Sequence, residues 1–150
     1  MASAQENNKL IANNSIRHYD FDPDGTDPVD VAWVDMRDFA YFLASFFRTV
    51  GTSNLDTIRI IANSQSNGGG TDVEVKVHAL GGGQPNAVGD QIFLECTAQE
   101  LAALSNSTVG NLRYVSLQVE FATGTDEAVI TYIRSGARFP GANLTADVIA

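Results

Sequence analysis

The segment Asp20-Phe21-Asp22-Pro23-Asp24-Gly25 reproduces the opening of a calcium loop, with three carboxylates at alternate positions and a glycine for the sharp bend. The twelfth position of such a loop falls on Val31, where a bidentate Glu is required, and proline takes the fourth. An acidic surface turn is therefore expected, with Asp27 or Asp30 left as substitutes in an irregular site. An unchanged melting temperature with and without a chelator checks this. The two histidines, His18 and His78, and the single cysteine, Cys96, stand at unrelated positions without zinc-ligand spacing. No G-x-S-x-G elbow supports a serine nucleophile, and Ser135-Gly136 lacks that context. Asp and Glu are plentiful enough for a glycosidase pair, but most carboxylates are simply solvated. The expectation is a protein that is not an enzyme, with no catalytic, cofactor-binding or metal-binding residues and no cofactor.

The elements that carry these residues read as strands. Between Ile16 and Arg134 one pattern recurs about eight times: an apolar or alternating run, then a break of Gly, Asn, Asp, Ser or Pro. Asp72 to Leu80 is the cleanest, with Val73, Val75, Val77 and Ala79 on one face and Glu74, Lys76 and His78 on the other. Val29, Val31 and Trp33 share a face, and Trp33 is expected to anchor the core. Phe39, Phe42, Leu43, Phe46 and Phe47 also fit a helical stripe. Their aromatic content and the plainly strand-like Thr57 to Ala62 favour a central strand buried on both faces.

Connections follow from turn chemistry. Gly68-Gly69-Gly70 predicts a flexible hairpin tip; a phosphate loop would want a lysine and a following helix. Gly81 to Asp90 is a second, longer glycine-rich connection. Thr97-Ala98-Gln99-Glu100 is a capping box, so one short helix is expected near residues 98–104, with Leu101 and Leu104 over an open edge or end of the sheet. Leu112 to Ala122 and Glu127 to Arg134 are the last two strands, and Thr123-Gly124-Thr125-Asp126 predicts that they form a hairpin. The whole predicts an all-β fold, an antiparallel β-sandwich of jelly-roll type with about eight strands. Residues 1–14 read as an extended arm, 15–141 as the β-sandwich domain and 142–150 as a mildly apolar tail.

Composition limits the partners. At 150 residues the chain is long enough for one core, burying roughly 70% of its unfolded surface without a disulfide or metal. Cys96 shares a face with Ile92 and Leu94 and is expected to be a plain buried thiol. Eighteen acidic against nine basic residues give a net charge of −9, which disfavours nucleic acid and anionic lipid. No signal peptide is read after Met1, so the Asn13, Asn106 and Asn143 sequons carry no expectation of glycans. Phe39 to Phe47 is too short to span a bilayer.

The order of features resembles the head decoration, or cement, proteins of tailed bacteriophages. Val34-Asp35-Met36-Arg37-Asp38-Phe39 leading to Gly51, Ile58 to Ala62 with its Asn63 to Thr71 loop, Gln91 to Leu101, Leu112 to Val119 and Arg138-Phe139-Pro140 carry the likeness, over about residues 29–141. It implies a structural virion protein, made in the host cytoplasm, that binds the outer capsid surface and stabilises the shell. The implied partners are the major capsid protein and further copies of the chain, with no nucleic acid and no membrane. The rival expectation is a carbohydrate- or ligand-binding β-sandwich module, as in a tail fibre, presenting aromatics such as Tyr114 or Tyr132.

Overall fold

The computed structural model describes residues 14–23, 25–78 and 84–137. The expected arm and tail, Asp24, Gly81-Gly82-Gly83 and Arg138-Phe139-Pro140 lie outside the described residues. In chain order the elements are β1 (Ser15–Phe21), β2 (Val29–Asp30), β3 (Val34–Asp35), β4 (Tyr41–Val50), β5 (Leu55–Asn63), β6 (Val73–Val77), β7 (Gln91–Thr97), α1 (Ala98–Leu104), β8 (Tyr114–Phe121) and β9 (Glu127–Ser135). They form two sheets, ordered β1-β9-β4-β7 and β2-β8-β5-β6, with β3 also on β8. Every pairing is antiparallel. The first and last strands are neighbours, and the chain crosses between the sheets repeatedly, staying in the second for β2–β3 and for the β5–β6 hairpin, which is the jelly-roll order of an all-β sandwich.

Alternation places the core between the sheets. Phe42 and Phe46 of β4, Ile58 and Ile60 of β5, Val115 and Val119 of β8 and Ile130 of β9 are fully buried there. The Phe42 and Tyr132 rings meet edge to face at 4.9 Å, a preferred aromatic geometry. The helix forms as its capping box dictates: Glu100 N donates to Thr97 Oγ1 at 3.1 Å, and Thr97 N donates to Glu100 Oε2 at 2.8 Å. Leu101 is buried, and Lys76 Nζ of β6 reaches Glu100 Oε1 at 2.9 Å, tying the second sheet to the helix that follows β7.

Several expectations are corrected. The last two strands are not a hairpin: β8 belongs to one sheet and β9 to the other, so Ala122 to Asp126 is an arch between them. Asp126 is buried and accepts from Arg48, Ser53 and Thr123, which draws the arch inward instead of letting β9 fold back on β8. The single strand expected around Val29 to Trp33 is two short ones with a break between. In that break Tyr132 Oη accepts from Leu117 N at 2.7 Å, supplying a buried amide with a partner from the opposite sheet.

Trp33 lies outside the buried core and packs on the β5–β6 hairpin. Gly68 there has φ +70, and a Cβ on it would sit 2.6 Å from Trp33 Nε1, so a residue without a side chain is needed. The hairpin tip is organised by Asn63, which is fully buried. Its Oδ1 accepts from Gln65 N at 2.8 Å and Gly70 N at 3.2 Å, and its Nδ2 donates to Asp72 Oδ1 at 2.7 Å.

β4 is a central strand with one face in the core, while its outer face, expected to be buried too, is mixed: Ser45 is buried, Leu43 half-buried and the two aromatics exposed. Phe42, Ala44, Phe46 and Arg48 point inward, while Tyr41 and Phe47 point out and are exposed.

Candidate functional site

Of the residues first singled out for chemistry, His18, His78 and Cys96 are not brought together. His18 is on β1, at one edge of the first sheet, with its Nδ1 2.8 Å from Thr131 Oγ1. His78 follows β6, at the edge of the second sheet, where its N donates to Ile58 O at 3.0 Å. Cys96 is buried in β7, and burial, with the Glu100 carboxylate adding to it, pushes its thiol up to about 12. Among the described residues no group of three His, Cys, Asp or Glu side chains is arranged to hold a metal ion, and no helix is long and apolar enough to cross a membrane.

What the fold does assemble is a contrast between its two outer faces. On the second sheet most outward side chains are polar and bonded to one another, with Val77 of β6, opposite Arg59, the exposed apolar exception at the edge. Gln118 Nε2 donates to Asp30 Oδ1 at 2.9 Å, Arg59 Nε to Gln118 Oε1 at 2.8 Å, Arg59 Nη1 to Glu74 Oε2 at 3.0 Å and Thr57 Oγ1 to Glu120 Oε2 at 3.0 Å. Such a surface is complete in water.

The first sheet presents the opposite. Its strand registers set four rows across the outer face: Asp20-Val129-Phe47-Gln91, His18-Thr131-Ser45-Phe93, Ile16-Ile133-Leu43-Glu95 and Ser135-Tyr41-Thr97. The central strands β9 and β4 contribute no formally charged side chain to these rows. Asp20 and Glu95 stand on the edge strands. Ile16 is 43% exposed, Phe47 38%, Phe93 60% and Tyr41 57%. The row centres are uncharged, and exposed apolar side chains stand both there, at Tyr41 and Phe47, and on the edge strands, at Ile16 and Phe93.

The sandwich is held rigid beneath this face by buried arginines at each end. Arg48, fully buried, donates through Nε to Pro85 O at 2.7 Å, through Nη2 to Ser53 O at 2.8 Å and through Nη1 to Asp126 Oδ2 at 2.6 Å. Burial acts to raise the Asp126 pKa, but bonds from the Ser53 hydroxyl and amide, Arg48 and Thr123 outweigh it and hold the carboxyl below the usual range. At the other end Arg134 donates to Asp35 O at 2.8 Å and Ser15 Oγ at 2.9 Å. Arg113 grips the Asp35 carboxylate with two nitrogens.

A depression of about 620 Å³ opens at the corner where Tyr41 stands, lined also by Leu43, Lys76, Glu95, Glu100 and Ser135. Sequence reasoning placed the exposed aromatics at Tyr114 and Tyr132 instead. Tyr132 is 1% exposed and belongs to the core, and Tyr114 is half-buried, with the Arg113 guanidinium 5.1 Å from its ring centroid. The signal for Tyr41, Phe47 and Phe93 was present as alternation, but which face met water depended on the partner sheet.

No known protein family matches this chain, and no curated protein sequence is similar to it. Among solved structures it is similar to a pilus protein of Bacillus endospore appendages (13% identity, 81% of this chain and 86% of that one, TM-score 0.41). It is also similar to the SPBc2 prophage-derived protein YomS (14% identity, 81% and 95%, TM-score 0.44) and to the Yersinia pseudotuberculosis-derived mitogen (10%, 93% and 96%, TM-score 0.44). The class defined by the fold is an all-β, two-sheet antiparallel sandwich, and its function is read from its own surfaces.

Proposed function

We propose that this chain is a non-enzymatic structural virion protein, a decoration or cement protein that binds the outer surface of a phage head and stabilises it. The observation that carries the reading is the asymmetry of the two outer faces. The second sheet's outer face carries a continuous run of side-chain bonds from Asp30 to Glu74, whereas the first, with bonds only at Gln91–Ser45 and His18–Thr131, exposes Ile16, Tyr41, Phe47 and Phe93. A partner that covers the first face removes apolar surface from water at roughly 25 cal/mol per Å². The partner in this reading is the major capsid protein, with further copies of the chain alongside.

The acidic balance of −9 suits the outside of a shell better than its DNA-lined interior. Attachment of many copies turns modest single-site affinity into firm binding through effective concentration.

The test is co-sedimentation of purified protein with heads that lack it, alongside its mass in solution. Saturable binding at a fixed ratio to capsid subunits supports the reading. Heads that sediment bare at micromolar protein refute it.

A further inference from the structure

We infer that the corner depression beside Tyr41 is a binding site for neutral saccharides. Tyr41 lies in the middle of a cross-strand row whose other members are Ser135 and Thr97, both small hydroxyl residues. With nothing tall on either side, the ring stands clear and is 57% exposed. One side of it is bounded by the chain. Gly136, at φ +67, brings its backbone so close that a Cβ would lie 3.0 Å from Tyr41 Cδ2 and 3.2 Å from Cε2. The ring therefore rests on glycine backbone along one side and is open on the rest.

An exposed aromatic already bounded on one side loses less freedom on binding, which is where much of the cost of association arises. The apolar C–H face of a pyranose is a natural partner for such a ring.

The polar groups around it fit the remainder of a sugar. Glu95 and Ser135 line the same depression and offer a carboxylate and a hydroxyl to ring hydroxyl groups. The Thr97 hydroxyl is taken up in the helix cap, where it accepts from Glu100 N. Lys76 and Glu100 form the wall of the depression and pair at 2.9 Å, and Glu95 also acts on the Lys76 ammonium. Two carboxylates against one ammonium leave the site with a net negative charge, which disfavours sulfated, sialylated or phosphorylated ligands. A depression of about 620 Å³ is of the size that takes small ligands. It combines one apolar platform with a few convergent polar groups, the usual design of such sites.

The depression shares Tyr41, Leu43 and Ile133 with the face proposed to dock on a shell, so it is open on unattached protein. It is tested on the isolated protein, with no heads present, so its failure and the failure of the proposed function are separate results. The probes are cello-, xylo-, manno-, galacto- and chito-oligosaccharides, first arrayed and then titrated by calorimetry. At least one is expected to bind, with Tyr41→Ala weakening it by about tenfold or more through loss of one stacked ring. Glu95→Gln should weaken it less, and Val88→Ala, in the loop before β7, should leave it unchanged. Because Tyr41 is exposed, thermal melting of Tyr41→Ala reports that the fold is kept. No binding to any probe overturns the inference, as does binding that Tyr41→Ala leaves intact or binding confined to anionic glycans.

Discussion

Arg48 Nη1 lies 2.6 Å from Asp126 Oδ2, with the arginine side chain fully buried and the aspartate nearly so. The pair joins the end of β4 to the arch between β8 and β9, and thus one sheet to the other. The Arg48 guanidinium also lies 4.9 Å from the Phe121 ring centroid, so its removal costs packing as well as charge. Arg48→Met leaves the Asp126 carboxylate buried without its ion partner, and the expected loss is about 3–5 kcal/mol in urea unfolding. A loss below about 1 kcal/mol, the range of a surface pair, contradicts the clamp.

The same aspartate sets the response to acid. Its folded pKa is depressed, so the stability it adds is complete above the unfolded value of about 3.9 and is lost as pH falls through the folded value. Asp35 acts in the same sense, since bonds from Arg113 and the Arg37 amide outweigh its burial. Unfolding free energy is therefore expected to fall as pH drops below about 4. Asp126→Asn should flatten that slope while lowering stability at neutral pH. A wild-type protein equally stable at acid and neutral pH contradicts this.

Tyr132 couples the sheets at the break between β2 and β3. Tyr132→Phe leaves the Leu117 amide without its acceptor in the core, an expected cost of about 1–3 kcal/mol. Burial raises the Tyr132 pKa. The unfolded phenol ionises near 10 while the folded one keeps its proton, so stability falls as pH rises above about 10. Urea titrations of wild type and Tyr132→Phe at neutral and alkaline pH check both effects.

Cys96 should be silent toward thiol reagents. It is 2% exposed and its thiol is pushed up to about 12, so almost no thiolate exists at pH 8. Native protein is expected to resist iodoacetamide, and the same protein in denaturant to react fully. Rapid labelling of the native state contradicts the burial.

Much of the architecture was legible because it rests on local rules. Val115, Leu117, Val119 and Phe121 alternate in sequence and are all buried in β8. Thr97 and Glu100 announce the helix at its true start. The destination of each strand was not legible, because period 2 is the same in either sheet. Thr123 to Asp126 has the composition of a hairpin turn, and the bonds that draw Asp126 inward come largely from Arg48 and Ser53, far away in sequence. The candidate face was hidden for the same reason. Phe42, Phe46 and Phe47 read as one apolar run on β4, but only Phe47 faces outward. Its neighbours Val129 and Gln91 become visible with the register.

The central claim is that the outer face of the first sheet is the docking surface. It is tested most directly by comparing Phe47→Glu with Val77→Glu in quantitative co-sedimentation with bare heads. Both residues are exposed, one on each sheet, and both variants should keep the thermal transition of the parent. The prediction is that Phe47→Glu abolishes attachment and Val77→Glu binds like wild type. Equal binding by both, or loss only with Val77→Glu, contradicts it.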